Sequence, residues 1–235
     1  MSKADLERIG NHIWQNECNG SVSGLTSWNT GEDFASLGIG HFIWYPTGKT
    51  GPFEESFPPL VKWFRQSGIA VPDWLVQARG CPWPDRVAFE KDHASARQQQ
   101  LRTLLSTTVA EQVRFIIARL EVATPKMQAA AGPAAARVAS NINLLQQSAA
   151  GNFAMIDYVN FKGDGLDAKE SYNGEGWGLL QVLVEMQTAD AAHAPRAFGD
   201  AAKHVLARRV KNSPPARGEK RWLEGWSNRC DTYVK

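Results

Sequence analysis

Apolar positions at the start of the chain recur at helical spacing. Leu6, Ile9 and Ile13 share one face, Ser2 stands where a cap belongs, and Asp5 where a capping box wants an acid. This helix is expected to fray near Glu17, because Asn19, Gly20 and Gly24 are terminators. From Leu25 to Tyr45 the helical period disappears. Thr, Trp, Ile, Phe and Tyr alternate there with Asn29-Thr30-Gly31, Gly38 and Gly40, which predicts two or three short strands closed off by Pro46, Gly48, Gly51 and Pro52.

Beyond residue 52 the pattern is helical. Pro58-Pro59 starts one helix through Trp63 and Phe64, and Asp73 is expected to cap a second that ends by Gly80. Cys81-Pro82-Trp83-Pro84 reads as a rigid connector. A long helical region follows, broken near Ser106-Thr107-Thr108, where Thr108 and Glu111 form a predicted capping box. An Ala-rich helix restarts at Pro133, and "GNFAMIDYVNFKG" puts Phe153, Ile156 and Val159 on one stripe before Gly163. "GWGLLQVLVEM" is apolar nearly all round and reads as a buried central helix. Pro195 to Val210 and a final segment from Pro215, carrying Trp222 and Trp226, complete roughly eight to ten helices around one strand unit. The expected class is α+β, mostly helical, in a single domain over 1–235: a helix-plus-hairpin unit at 1–50 and a helical lobe at 51–235.

Composition narrows the function classes. With 235 residues, 43% hydrophobic and 21% charged, the chain is an ordinary globular protein able to bury a core. A net charge of +2 gives no argument for a nucleic-acid partner. Only Lys203 to Arg221 is locally basic, as a solvated helix face or a contact for an acidic polymer. No apolar run reaches the ~18 residues of a membrane span, and the first residues carry no leader pattern. The expected location is therefore periplasmic or extracellular, as a mature fragment behind a new Met1, or else the cytoplasm. Cys18, Cys81 and Cys230 leave open three reduced thiols or one disulfide in any of its pairings. The histidines form no ligand spacing, so neither metal nor cofactor is expected, and no G-x-S-x-G elbow occurs. A Cys18–His41 nucleophile pair has no positive sign. The nine tryptophans are mostly expected in the core, but the excess tilts toward sugar stacking.

Candidate chemistry centres on Glu17. Glycosidic cleavage needs a proton donor on the leaving oxygen and, usually, a second carboxylate. A carboxyl at the end of a helix beside a polar hairpin suits the donor role, although most glutamates are simply surface acids. The order helix, Glu17, hairpin, then Ser36-Leu37-Gly38-Ile39-Gly40-His41 resembles the N-terminal active-site unit of the phage-type lysozymes. The resemblance implies a lysozyme-like fold with a cleft between lobes. It also implies Glu17 as general acid and Ser36 in the place of the family's threonine. The family's hairpin aspartate would fall on Thr30, which is no acid, so Glu32 or Asp33 takes that role. His41 would brace the hairpin.

A looser resemblance runs through 150–185. "FAMIDYVNFKG" is similar to the cleft-floor helix of lysozyme-like enzymes, chitosanases included. Glu170-Ser171 ahead of Gly178-Leu179-Leu180-Gln181 resembles the lytic transglycosylase signature, at a shorter gap. The resemblance implies that Asn160, Tyr172, Trp177 and Gln181 line the groove, against helix packing as the plainer account. The implied function is hydrolysis of a β-1,4-linked amino-sugar polymer, peptidoglycan first, by a monomer needing no cofactor. Chitin or chitosan is an alternative substrate. Rival functions are a non-catalytic glycan-binding module, a lytic transglycosylase and a cytosolic scaffold. Residues 50–150 carry no resemblance.

Overall fold

The computed structural model describes residues 1–234 and is mostly helical with a small antiparallel sheet. The chain divides into two compact units, Met1–Phe115 and Ile116–Lys235.

In the first unit, α1 (Lys3–Cys18) starts with the capping box between Ser2 and Asp5 and buries Leu6, Ile9 and Ile13. It runs one residue past Glu17 and ends on Asn19 in the left-handed conformation, whose N–H bonds back to Gln15 and Trp14 carbonyls. Gly10 gives α1 its close approach to the helix beginning at Val109. A Cβ there would lie 2.4 Å from Val109 Cγ1. Three short strands follow, β1 (Thr26–Ser27), β2 (Ala35–Leu37) and β3 (Phe42–Trp44), paired antiparallel in sequence order. Ser36 lies opposite Ser27 on one side and Ile43 on the other.

The remaining helices of this unit are α2 (Phe57–Gln66), α3 (Asp73–Val76), α4 (Arg86–Lys91), α5 (Ala96–Thr107) and the start of α6 (Val109–Ala130). Asp73 is the first residue of α3 rather than its cap, which is Pro72. The capping box expected at Thr108 and Glu111 gives way to other bonds. The Thr108 hydroxyl turns back to donate to the Leu104 carbonyl, and Glu111 pairs with Arg114. The tryptophans here chiefly build core: Trp28, Trp44 and Trp83 are buried, and Trp44 packs within 6.5 Å of Phe57, Trp74 and Trp83.

The second unit contains α7 (Ala135–Gln146), α8 (Ala149–Lys162), a hairpin β4 (Ser171–Tyr172) with β5 (Glu175–Gly176), α9 (Leu179–Glu185), α10 (Ala194–Asn212) and α11 (Leu223–Cys230). The β4–β5 hairpin corrects the expectation of a single strand unit. Its turn is Asn173-Gly174, both residues at positive φ, as a tight hairpin turn demands. As its apolar run suggests, α9 buries Leu179, Leu180, Val182 and Leu183, although it is short. Its terminal carbonyls Leu183 and Met186 accept from the buried Asn141 amide.

Two buried ion pairs fix this unit. Asp157, fully buried on α8, accepts from Arg229 at 2.8 Å on each oxygen and from the Tyr233 hydroxyl at 2.7 Å. Glu219, also fully buried, accepts from Arg209, Arg217 and the Tyr172 hydroxyl. Burial pushes the Glu219 carboxyl up, but the Arg209 and Tyr172 hydrogen bonds with the Arg209 and Arg217 charges outweigh it and hold the group below the usual carboxylate range. The locally basic stretch is thus largely matched by acids of the same unit: Lys203 pairs with Asp231, and Arg208 with Glu175 and Glu185.

Candidate active site

The helix that ends at Cys18 delivers two side chains to one imidazole. Glu17 Oε2 lies 3.4 Å from His41 Nδ1, and Cys18 Sγ lies 3.4 Å from His41 Nε2. The Glu17 side chain keeps 15% of its surface exposed and His41 23%, so both are shielded yet reachable from water. His41 occupies the last position of the β2–β3 turn with φ 48°, a left-handed backbone uncommon outside glycine and asparagine.

That turn is held from beneath by a residue without any signal in the local sequence. The fully buried Gln112 of α6 accepts from the Ile39 N–H at 2.9 Å through Oε1. Its Nε2 donates to the Leu105 carbonyl at 2.7 Å. Gly38 makes room for this clamp. At φ 74° it needs glycine, and a Cβ would fall 2.4 Å from Gln112 Oε1. The Gly-Ile-Gly-His stretch is therefore a turn shaped so that the backbone sits on an amide and the imidazole meets the end of α1.

The hairpin carries two acids, Glu32 and Asp33. Glu32 is half-buried, accepts from Asn29 Nδ2 at 3.0 Å, and is hydrogen-bonded by the buried Ser36 hydroxyl. Burial raises the Glu32 carboxyl above its ordinary range, against the lowering effect of the Asn29 and Ser36 hydrogen bonds. Asp33, its neighbour, is exposed. The Thr30 hydroxyl accepts from Arg86 at 2.8 Å.

The Cys18–His41–Glu17 order looks like nucleophile, base and orienting acid. Cys18 is only 5% exposed, and burial followed by the nearby Glu17 charge pushes its thiol up to about 12. An attacking thiolate needs access and a depressed pKa, so Cys18 is a hydrogen-bonding thiol here. All three cysteines are buried and free, which resolves the question left by their number. Among the described residues no group of three or more His, Cys, Asp and Glu side chains is placed to hold a metal ion, and no helix is long and apolar enough to cross a membrane.

Asn160, Tyr172, Trp177 and Gln181 all lie in the second unit. Trp177 is 8% exposed beneath the Arg209 guanidinium, 4.1 Å from its ring, which leaves little indole for a sugar. Tyr172 is committed to Glu219. Asn160 Nδ2 and Gln181 Oε1 are buried atoms with no protein partner, while Gln181 Nε2 reaches the Gly165 carbonyl. No family model, curated protein or solved structure matches this chain.

Proposed function

We propose that the chain is a lysozyme-like glycoside hydrolase acting on a β-1,4-linked amino-sugar polymer, peptidoglycan first. The observation that carries this reading is the meeting of Glu17, at the end of α1, with His41 of the Gly38–His41 turn, on the hairpin that also carries Glu32 and the Ser36 side chain that hydrogen-bonds to it. Glu17 protonates the glycosidic oxygen as the bond to the anomeric carbon breaks. Glu32 supplies the second carboxyl, and the Ser36 hydroxyl orients it or a water beside it. Glu32 is preferred to Asp33 because it combines partial burial with the hydroxyl partner, whereas Asp33 is exposed. The separation of the two carboxyls in the working enzyme sets the outcome, inversion at about 6.5–9.5 Å and retention at about 5–5.5 Å.

The test is a cell-wall turbidity assay on wild type and Glu17→Gln, with mass spectrometry of the products. Clearing by wild type, with a loss of roughly 10²–10⁴-fold in the variant, supports the reading. Anhydro ends in place of reducing ends would make the protein a transglycosylase. Binding of the wall without shortening it would make it a glycan-binding module.

A further inference from the structure

We propose that the cavity beside α10 binds a short zwitterionic peptide, of dipeptide size, with its carboxylate at Arg196, its ammonium at Asp200 and its amide at Gln187. The site lies within the second unit and does not depend on the hydrolase reading, whose residues belong to the first. Its volume is about 430 Å³, within the range of small-molecule sites. Arg196, Ala197, Asp200, Ala201 and His204 recur at three- and four-residue spacing, so they share one face of α10 and line the cavity together. The end of α9 and the segment after it, with Gln187, complete the lining.

Most of the charge around the cavity is already matched. His193 Nδ1 meets the Asp190 carboxylate at 2.9 and 3.0 Å, His204 pairs with Glu185, and Glu185 also accepts from Arg208 at 2.7 Å. Among the described residues, Arg196 and Asp200 meet no oppositely charged group, and the Gln187 carboxamide has no hydrogen-bond partner. Arg196 and Asp200 stand four residues apart on the helix, a spacing at which such residues often pair, yet they stay separate. The short side chains of Ala197 and Ala201 leave the floor between them open. Four helical residues advance about 6 Å. The two ends of an extended dipeptide lie at most about 7 Å apart, so one molecule reaches both charges. A guanidinium takes a carboxylate through paired N–H donors, a carboxylate accepts from an ammonium, and a carboxamide matches the N–H and C=O of a peptide bond. A simple anion would meet Asp200 and a simple cation Arg196, so the pair of charges selects a dipolar ligand against either.

The experiment is an NMR titration of the ¹⁵N-labelled full chain with the dipeptide Ala-Ala, with N-acetyl-Ala-Ala, which lacks the ammonium, and with Ala-Ala-amide, which lacks the carboxylate. Ala-Ala is expected to shift backbone amides at 187–204 saturably, with a Kd on the order of 1 mM, as suits so small a ligand. Because Arg196 and Asp200 are exposed, each blocked peptide is expected to bind only roughly three- to tenfold more weakly. Two variants at these surface positions, each checked for an otherwise unchanged amide spectrum, assign the ends. Arg196→Gln is expected to bind Ala-Ala and Ala-Ala-amide alike while still rejecting the acetylated peptide. Asp200→Asn is expected to bind Ala-Ala and N-acetyl-Ala-Ala alike while still rejecting the amide. No saturable shift at 187–204 with Ala-Ala, equal binding of all three peptides by the wild type, or variants that discriminate as the wild type does would each overturn the proposal. Activity on cell walls, or its absence, leaves these outcomes unchanged, so this site and the hydrolase reading stand or fall separately.

Discussion

Replacing Arg229 by methionine tests how the second unit is held together. Asp157 has no exposed side-chain surface, and Arg229 gives it two parallel hydrogen bonds of 2.8 Å while its guanidinium lies 4.1 Å from the Phe161 ring. Methionine restores much of the packing volume but leaves the carboxylate buried without its countercharge. Breaking one side of a buried pair in this way costs about 3–5 kcal/mol. For a cooperative unit of about 120 residues the unfolding entropy is roughly 0.25 kcal/mol/K, so the melting temperature should fall by roughly 12–20 °C. Differential scanning calorimetry at pH 7 measures this directly. The double variant Arg229→Met with Asp157→Leu should regain most of the loss, because it removes the orphaned charge as well. A fall below about 4 °C in the single variant, or no recovery in the double, would refute the assignment of Asp157–Arg229 as a charge pair that the core depends on.

Other consequences are as specific. Glu32 has a folded-state pKa raised by burial, so the folded protein binds its proton more tightly than the unfolded chain, and stability falls as pH rises through that window. Glu32→Gln should therefore melt higher than wild type at pH 7 and lose that advantage below about pH 4, where the unfolded side chain is protonated too; thermal melts against pH check it. Gln112→Leu strips the partners from the Ile39 N–H and the Leu105 carbonyl, each a buried polar group, and should cost about 2–4 kcal/mol in denaturant titrations. Gly38→Ala combines a left-handed backbone with a contact to the Gln112 amide and should destabilise the first unit by about 1–3 kcal/mol in the same assay. The three thiols, buried and held largely protonated by pKa values of about 12, should react with a thiol reagent only after denaturant is added.

Much of the fold was written in local signals. The Ser2–Asp5 box, the Leu6–Ile9–Ile13 face and the glycines after Leu25 located α1 and the three strands, because capping and periodicity act within a turn or two of the chain. The misses have physical causes. Asn173-Gly174 is a strong hairpin signal, but its flanking strands are two residues each, too short for alternation to show. Thr108 reads as a helix cap, yet its hydroxyl donates back to the Leu104 carbonyl and accepts from Gln112 Nε2, each four residues away, so a competing local bond displaces the cap. At the site, Glu17 and the Gly38-Ile39-Gly40-His41 stretch are legible as a motif on adjacent elements, but the approach of His41 Nδ1 to Glu17 shows only in the fold. Gln112 was invisible, since a buried glutamine 73 residues from its partner leaves no mark in either segment. Likewise, the contact of Cys18 with His41 emerges only once α1 has ended one residue later than its terminators suggested.

The central claim is that Glu17 is the reacting carboxyl of a glycan-cleaving site. The most direct measurement is the release of reducing ends from purified peptidoglycan by wild type and Glu17→Gln at equal concentration, with both proteins shown to be folded. The account predicts steady release by the wild type and a fall of at least about a hundredfold in the variant. Equal rates for the two proteins, or no release by either, would contradict it.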